Sequence, residues 1–224
     1  TLPRHGITTT FVDPSDVENF KTAVQENTRT FFIESLGNPK LDVLDIEAIS
    51  KQAQSSKVPL IVDNTVATPC LLNPIEHGAN IVIHSLTKYI NGSGTALGGA
   101  IIDAGTFDWT NGKFPEFTEP SPGYHGLIYS EALEAAAFIA KIRIEGLRDY
   151  GAALSPFNAF QIIQGLETLE VRIQKHSENA LLLAQWLQKQ DLVAWVNYPG
   201  LENSAYKSLA TRYLPKGQSG LVTF

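Results

Sequence analysis

Two ionisable side chains, Asp63 and Lys88, have the types and the spacing to act on one ligand. Asp63 comes directly after the apolar run Leu60–Val62, and Lys88 comes shortly after the run Ile81–Ile83. A lysine can form a Schiff base, an acid can keep a pyridinium nitrogen protonated, and hydroxyl groups can bind phosphate oxygens. Hydroxyl side chains stand close to both residues, at Thr65, Ser85 and Thr87.

An ordinary structural role is also open for each of these residues taken alone. A lysine is usually part of the solvated surface, because its charge resists burial. Asp63-Asn64-Thr65 is an acceptable turn without any chemistry. Lys88 differs from a surface lysine because it follows a predicted buried strand, where partial burial would make its amine nucleophilic. His84 is most simply a core residue or a support for the neighbouring site.

The two apolar runs predict the elements that bring Asp63 and Lys88 together. Short, continuous, β-branched runs are typical of parallel strands that are buried on both faces. In open α/β sheets, ligands bind outside the carboxyl ends of such strands. Residues 59–99 therefore predict two neighbouring strands whose carboxyl ends open on one crevice.

Strands and helices alternate through the rest of the chain, which predicts an α/β fold: a mainly parallel sheet flanked by helices. Further strands are predicted over residues 7–13, Thr30–Ile33 and Ala100–Asp103. Helices are predicted over Val17–Gln25, from the capping residue Asp45 to Gln54, over Asn73–His77, over Glu131–Arg148, and over Pro156–Gln190 with a bend near Gly165. The aromatic, proline-rich segment 106–129 predicts a packed surface loop, with substrate or subunit contact as the alternative.

Composition argues against several classes of partner. The net charge of −6 gives no electrostatic reason to expect nucleic-acid binding. No apolar run approaches the roughly 20 residues that span a bilayer. The single cysteine, Cys70, cannot form an internal disulfide, which favours a reducing compartment and hence a cytoplasmic location. The histidines and this cysteine lack metal-ligand spacing, so no metal is expected.

Other motifs give two alternatives from different classes. Ser85-Leu86-Thr87-Lys88 matches the S-x-x-K pattern of penicillin-recognising serine enzymes, although a K-T-G element is absent and the serine follows a strand. A non-catalytic scaffold is the second alternative. The run Gly92–Gly99 is not G-x-G-x-x-G, so its glycines indicate tight turns near Lys88 rather than a dinucleotide site.

Three motifs resemble the Cys/Met-metabolism family of pyridoxal-phosphate enzymes of fold type I: Asp63-Asn64-Thr65, Ser85-Leu86-Thr87-Lys88-Tyr89 and Gly98-Gly99. Glu34-Ser35-Leu36-Gly37-Asn38-Pro39 is similar to the strand-to-loop signature of that family. Other segments resemble its sulfhydrylase branch, whose members act on O-acetylhomoserine. These are Phe107-Asp108-Trp109, Lys113-Phe114-Pro115-Glu116-Phe117, Tyr124-His125-Gly126 and Gly165-Leu166-Glu167-Thr168-Leu169.

The resemblance implies pyridoxal 5′-phosphate as the cofactor, with Lys88 holding it as a Schiff base and later carrying protons. Asp63 would pair with the pyridine nitrogen and keep the ring an electron sink. The resemblance also implies that Ser85 and Thr87 donate to the cofactor phosphate. Asn38 would lie beside the phenolic oxygen, and Thr65 would lie near the ring.

The implied reaction is a γ-replacement, in which O-acetyl-L-homoserine and sulfide, or a small thiol, give L-homocysteine and acetate in methionine and cysteine biosynthesis. A γ-lyase of the same family, which would release a 2-oxo acid, is the alternative. The resemblance also implies a homotetramer built from two dimers.

The resemblance covers essentially the whole chain, as an internal portion of a longer enzyme. Residues 1–150 would be the central part of the cofactor-binding large domain. Residues 151–224 would be the linking helices and the start of a small carboxyl-terminal α+β domain. A tyrosine that stacks on the ring and an arginine that holds the substrate carboxylate are expected elsewhere, so this portion alone is expected to be inactive. Ser93 stands where the family often has histidine, which concerns the substrate side of the site.

Overall fold

The computed structural model describes residues 2–224, and its centre is a four-stranded sheet in the order β1-β2-β3-β4. The first three strands are parallel, as predicted, and β4 runs antiparallel to β3. The strands are β1 (Phe31–Glu34), β2 (Leu60–Asp63), β3 (Ile81–Ser85) and β4 (Gly99–Asp103).

The register of the sheet aligns the carboxyl ends of the parallel strands. Glu34 of β1 pairs with Asp63 of β2, and Asp63 pairs with Ile83 of β3. Because β4 is antiparallel, its first residue, Gly99, lies beside Ser85 at the same edge. The sheet therefore presents the candidate site residues along one edge, as the strand pattern predicts.

Within residues 2–224, ten α-helices pack around or follow the sheet. Asp45 caps the helix after β1 by accepting a hydrogen bond from the Ala48 N–H over 3.1 Å, and Ile46 and Ile49 are buried as predicted. The α-helices are α1 (Glu18–Thr22), α2 (Ile46–Ser55), α3 (Thr68–Leu71), α4 (Pro115–Thr118), α5 (Tyr129–Leu133), α6 (Ala137–Lys141), α7 (Arg148–Tyr150), α8 (Pro156–Leu166), α9 (Leu169–Leu187) and α10 (Lys207–Tyr213).

Several sequence predictions differ from the structure. Residues 7–13 form no strand, because no segment of residues 2–224 pairs with them. The predicted helix over 131–148 is interrupted at Glu134, where φ is 44°, and by a π-helical segment, Ile142–Leu147. The turn over Pro74–His77 is a 3₁₀ helix, as are Leu2–His5 and Glu134–Ala136. Helix α3 was not predicted. The expected bend near Gly165 is confirmed as the break between α8 and α9.

Two of the buried apolar clusters pack against the sheet. The larger packs α2 against the sheet and includes Leu60, Val62 and Val82. The smaller encloses Trp109, Phe114 and Phe117 of the aromatic segment against Ile81 and its neighbours. The segment 106–129 is thus packed against the sheet as predicted, with the short helix α4 within it, and its contact with substrate or another subunit stays a prediction. No helix within residues 2–224 is long and apolar enough to cross a membrane.

Candidate functional site

The turns that leave β2 and β3 remain hydrogen-bonded to the sheet. The Asp63 carbonyl accepts from the Ser35 N–H over 2.9 Å, and the Asn64 N–H donates to the Ile83 carbonyl over 2.9 Å. Asp63 is half-buried as the last residue of β2. Its position is therefore set by backbone hydrogen bonds from both neighbouring strands rather than by a free loop.

Thr65 joins Asp63 to Ser85. The Thr65 backbone N–H donates to Asp63 Oδ1 over 2.9 Å, while the Thr65 hydroxyl oxygen accepts from the Ser85 N–H over 2.8 Å. The second carboxylate oxygen of Asp63 accepts no hydrogen bond from residues 2–224. That oxygen is available to accept a proton-bearing group of a ligand.

Ser85 is the last residue of β3, and Thr87 and Lys88 lie in the turn that follows it. The Thr87 hydroxyl accepts from the Gly98 N–H over 3.1 Å, and the Leu86 N–H donates to the Gly98 carbonyl over 3.0 Å. The glycine-rich segment is thereby fastened to the turn. Lys88 is exposed, so the partial burial expected for it is not found in this chain, and its amine makes no ion pair within the described residues.

Asn38 follows β1, the strand beside β2, and not β2 or β3 themselves. It is exposed in the loop after β1, and its backbone N–H donates to Glu34 Oε2 over 2.9 Å. No hydrogen bond within residues 2–224 joins Asn38 to the group around Asp63. The structure connects Asp63, Thr65 and Ser85 directly, carries Thr87 and Lys88 in the following turn, and places Asn38 after the neighbouring strand.

His84 is buried beside the candidate acid. Burial lowers the pKa of His84, while the negative charge of Asp63 and a backbone hydrogen bond at Asn64 act in the opposite direction. Its Nδ1 atom has no hydrogen-bond partner within the described part of the chain. His84 is thus buried within β3, and its role as a support for the site stays a prediction.

Asn64 and Ser35 were missed as supporting residues. Asn64 is fully buried, and its Oδ1 accepts from the Ser35 hydroxyl over 2.7 Å. Its Nδ2 donates to the carbonyls of Thr68 and Leu72 over 3.1 and 2.8 Å. These bonds fold the turn after Asp63 back onto α3. An amide directly after a buried strand is the sequence signal that could have identified this role.

The arrangement offers three kinds of polar group at one edge of the sheet: an exposed amine, a carboxylate with a free oxygen, and hydroxyl groups. A glycine-rich turn lies beside them. The carboxylate can accept from a heterocyclic N–H, the amine can react with an aldehyde, and the hydroxyls of Ser85 and Thr65 can donate to anionic oxygens. This donor set fits pyridoxal 5′-phosphate. Ser85 ends a strand instead of opening a helix, which does not fit the S-x-x-K alternative.

Comparison with known proteins agrees with this geometry. The model of the Cys/Met metabolism PLP-dependent enzyme family matches residues 1–224. The O-acetyl-L-homoserine sulfhydrylase of Leptospira meyeri is 52% identical over 99% of this chain and 52% of its own length. The homocysteine synthase of Schizosaccharomyces pombe is 46% identical over 100% of this chain and 53% of its own length. The chain thus spans about half the length of the curated relatives it matches.

Solved structures with the same fold point in the same direction. An O-acetylhomoserine (thiol)-lyase from Campylobacter jejuni, which carries a pyridoxyl-lysine phosphate, superposes with a TM-score of 0.95. It is 42% identical, and the match covers 99% of this chain and 55% of that one. The O-acetylhomoserine sulfhydrylase of Wolinella succinogenes has a TM-score of 0.86 at 36% identity, over 99% of this chain and 59% of that one. Together with the family match over residues 1–224, these findings show that the chain belongs to the Cys/Met-metabolism family of PLP-dependent enzymes, with fold type I.

Proposed function

We propose that this chain carries the cofactor-binding part of an enzyme that converts O-acetyl-L-homoserine and sulfide, or a small thiol, to L-homocysteine and acetate. The observation that carries the proposal is the bonded group Asp63–Thr65–Ser85, with the exposed Lys88 in the turn that follows. The names of the sulfhydrylase and homocysteine synthase relatives support the choice of substrates. In this reaction the Cγ–O bond to acetate breaks and a Cγ–S bond forms.

Each candidate residue has a role that its position in the fold supports. Lys88 would hold the cofactor covalently through its amine, and Asp63 would accept the pyridinium N–H with its free oxygen. Ser85 would donate its hydroxyl to the phosphate. The Thr65 hydroxyl oxygen already accepts from the Ser85 N–H, so its own hydrogen is free to reach a ligand near the ring.

Thr87 and Asn38 have more constrained roles. The Thr87 hydroxyl lies 3.4 Å from the Gly98 carbonyl, a long hydrogen bond that a phosphate oxygen would replace at small cost. Its acceptor contact with the Gly98 N–H would remain. Asn38 would approach the phenolic oxygen from the loop after β1. The backbone bond to Glu34 leaves its side-chain amide free for that contact within the described chain.

The chemistry combines one cofactor with one mobile base. When bound, pyridoxal phosphate supplies an electron sink for negative charge that develops on the substrate carbons. The Lys88 amine would pass the α-proton to the bound cofactor and then take one proton from the β-carbon, after which acetate leaves the γ-carbon and sulfide adds there. Lys88 would then return one proton to the β-carbon and one to the α-carbon, which completes the exchange of acetate for sulfide. Asp63 would keep the pyridine nitrogen of the cofactor protonated throughout the reaction. Because Lys88 is exposed at the edge of the sheet, its amine is free to move between these carbons.

The absorbance of the full-length protein with pyridoxal phosphate tests the assignment. Wild type is expected to show a band above 400 nm that Lys88→Ala abolishes. Lys51→Ala, which removes an exposed lysine of α2, is the matched control and should keep the band. Asp63→Asn is expected to keep the band while turnover falls by about 10²- to 10⁴-fold. An unchanged band in Lys88→Ala would refute the proposal.

Product analysis separates replacement from elimination. With O-acetyl-L-homoserine and sulfide, homocysteine and acetate are expected in equal amounts. Release of a 2-oxo acid and ammonia at the same rate with and without sulfide would instead indicate a γ-lyase. Covalent labelling of Ser85 by a β-lactam would instead support the alternative of an S-x-x-K serine enzyme.

We also propose a homotetramer of two dimers in the cytoplasm, with residues 1–150 in the large domain and 151–224 leading into the carboxyl-terminal domain. Exposed apolar side chains along α8 support an assembly that covers them: Phe157 is 67% exposed and Phe160 is 56% exposed. Mass photometry of the full-length protein measures the number of subunits. A monomer at working concentration would contradict this proposal.

A further inference from the structure

Arg172 makes an unusual set of contacts for an arginine. Its guanidinium donates to the carbonyls of Tyr89 and Gly165 over 2.8 Å each. It also donates to the Ile90 carbonyl over 3.4 Å and to the Thr168 hydroxyl over 3.0 Å. All four acceptors are uncharged, and Arg172 forms no ion pair within residues 2–224. The rigid fork of donors is thus used to join two backbone segments rather than to neutralise an acid.

One of these segments is the turn that carries Lys88. Tyr89 and Ile90 follow Lys88 directly, so their carbonyls are bonded to Arg172 within two residues of the amine-bearing position. The same turn is closed by the Gly92 N–H, which donates to the Lys88 carbonyl over 2.8 Å. The Asn91 N–H donates to the Leu86 carbonyl over 2.9 Å. The backbone of Lys88 is therefore fixed from within the turn and from Arg172 outside it.

The other segment is the break between α8 and α9. Gly165 and Thr168 stand at this break, and Arg172 lies one turn into α9. The Thr168 carbonyl also accepts the Arg172 N–H over 3.0 Å. The long helix α9 is thus connected to the Lys88 turn by one side chain.

Two glycines show how closely these parts are packed. A Cβ atom on Gly165 would lie 2.1 Å from the Asn91 carbonyl oxygen. A Cβ atom on Gly92, where φ is +74°, would lie 2.5 Å from Arg172 Nη1. The absence of a Cβ on Gly92 leaves room for the guanidinium, and the absence of one on Gly165 lets α8 approach the Lys88 turn. Displacing Arg172 would therefore break its contacts with the Lys88 turn and with the α8–α9 break.

We propose that Arg172 is a positioning residue for Lys88: it clamps the Tyr89–Ile90 segment to the α8–α9 break and so fixes the backbone from which the lysine amine reaches the cofactor and substrate. The inference rests on the proposed function of Lys88. A lysine at position 172 carries one compact ammonium and cannot reach acceptors on both segments in the same geometry. The requirement is for the shape of the guanidinium as well as for its charge.

The test compares Arg172→Ala and Arg172→Lys with wild type as full-length enzymes saturated with pyridoxal phosphate. Because Lys88 would be misplaced in both variants, kcat is expected to fall by about 10- to 100-fold, while KM for O-acetyl-L-homoserine changes by less than about threefold. The pH midpoint of the absorbance band above 400 nm should shift in both variants. Ethylguanidinium added to Arg172→Ala should restore part of kcat and return the midpoint towards that of wild type.

Lys175→Ala is the matched control. Lys175 lies on the same helix, in an exposed ion pair with Glu178, and should keep the wild-type kcat and pH midpoint. If Arg172→Ala does not fold, Arg172→Lys carries the kinetic and spectroscopic comparison alone. A fall in kcat without a shifted midpoint and without rescue would overturn the inference, because a general loss of folded protein gives that pattern.

Two results separate this inference from the function on which it rests. A wild-type enzyme without a band above 400 nm overturns both. A wild-type band together with wild-type kcat and pH midpoint in Arg172→Ala overturns the role of Arg172 alone.

Discussion

The backbone N–H of Ser85 donates to the side-chain oxygen of Thr65 over 2.8 Å, so the turn after β2 closes on the last residue of β3. The same threonine donates its own N–H to the Asp63 carboxylate. One small residue thus connects the acid and the hydroxyl that flank the candidate site. Four consequences of this and of related contacts can be measured in the full-length protein.

Thr65→Val should destabilise the protein and weaken cofactor binding together. The Ser85 N–H would lose its acceptor in a half-buried position, which costs about 1–2 kcal/mol in the free energy of unfolding. Thr65→Ser keeps the oxygen and should stay within about 0.5 kcal/mol of wild type. Urea unfolding measures the first effect, and titration with pyridoxal phosphate measures the second. Equal stability of the valine and serine variants would contradict the role given to this bond.

Asn64→Asp should be strongly destabilising although it changes only one atom of the side chain. The Asn64 amide donates to two buried carbonyls, and a carboxylate would face both as a third acceptor. Two lost bonds and a buried charge amount to more than about 3 kcal/mol. Asn27→Asp is the control, since Asn27 is exposed and has no such bonds within residues 2–224. Chemical unfolding of both variants at pH 7 gives the comparison, and a similar midpoint for the two would disprove it.

Gly165→Ala and Gly146→Ala should have opposite effects, although both glycines lie in helical segments. A Cβ at Gly165 would lie 2.1 Å from the Asn91 carbonyl oxygen, whereas at Gly146 the nearest atom would be 3.9 Å away. The first variant should lose about 1–3 kcal/mol and the second should gain up to about 1 kcal/mol from helix propensity. Thermal unfolding measures both. A stable Gly165→Ala protein would show that the contact between α8 and the Lys88 turn is looser than described.

Asp45 should contribute stability that disappears in acid. Burial raises the pKa of Asp45, but hydrogen bonds from the Tyr213 hydroxyl and the Ala48 N–H, with the charge of Arg212, lower it by more, and the net shift is downward. A carboxyl with a lowered folded-state pKa stabilises the protein above its unfolded pKa of about 3.9, and loses that contribution as pH falls through the folded value.

Asp45→Asn keeps the helix cap and removes the charge, so it isolates this effect. At pH 6 the variant should be less stable than wild type by about 1 kcal/mol, which is the difference between a charged and a neutral hydrogen bond at a partly exposed site. The gap should close as pH falls from about 4 towards 2. Urea unfolding across this range is the measurement. A stability difference between wild type and Asp45→Asn that widens in acid would contradict the prediction.

The sequence was informative where a residue type has one strong local preference. The runs Leu60–Val62 and Ile81–Ile83 were recognisable as buried parallel strands, and Asp45 as a helix cap. The bend at Gly165 was also predictable, but its reason was not. The contact with the Asn91 carbonyl joins positions that are far apart in the chain, and no local pattern reports it.

The wrong predictions share a physical cause. Residues 7–13 have the β-propensity of a strand, yet a strand requires a partner whose N–H and C=O groups complete the ladder, and residues 2–224 provide none. The apolar spacing over 131–148 predicts a regular helix. In the structure the π-helical segment contains Glu145, which accepts from Ser121, Tyr129 and Lys141. Such convergence on one carboxylate is a tertiary effect that propensity does not contain.

Asp63 and Ser85 end strands whose register is held by the ladder between them, so the gap between acid and hydroxyl is as rigid as the sheet itself. A rigid frame of this kind suits the part of a catalyst that every substrate meets in the same way. For the proposed reaction, discrimination between an acetyl and a longer acyl donor would then have to evolve in segments outside this sheet. Directed evolution of donor preference should leave the residues of β2 and β3 untouched.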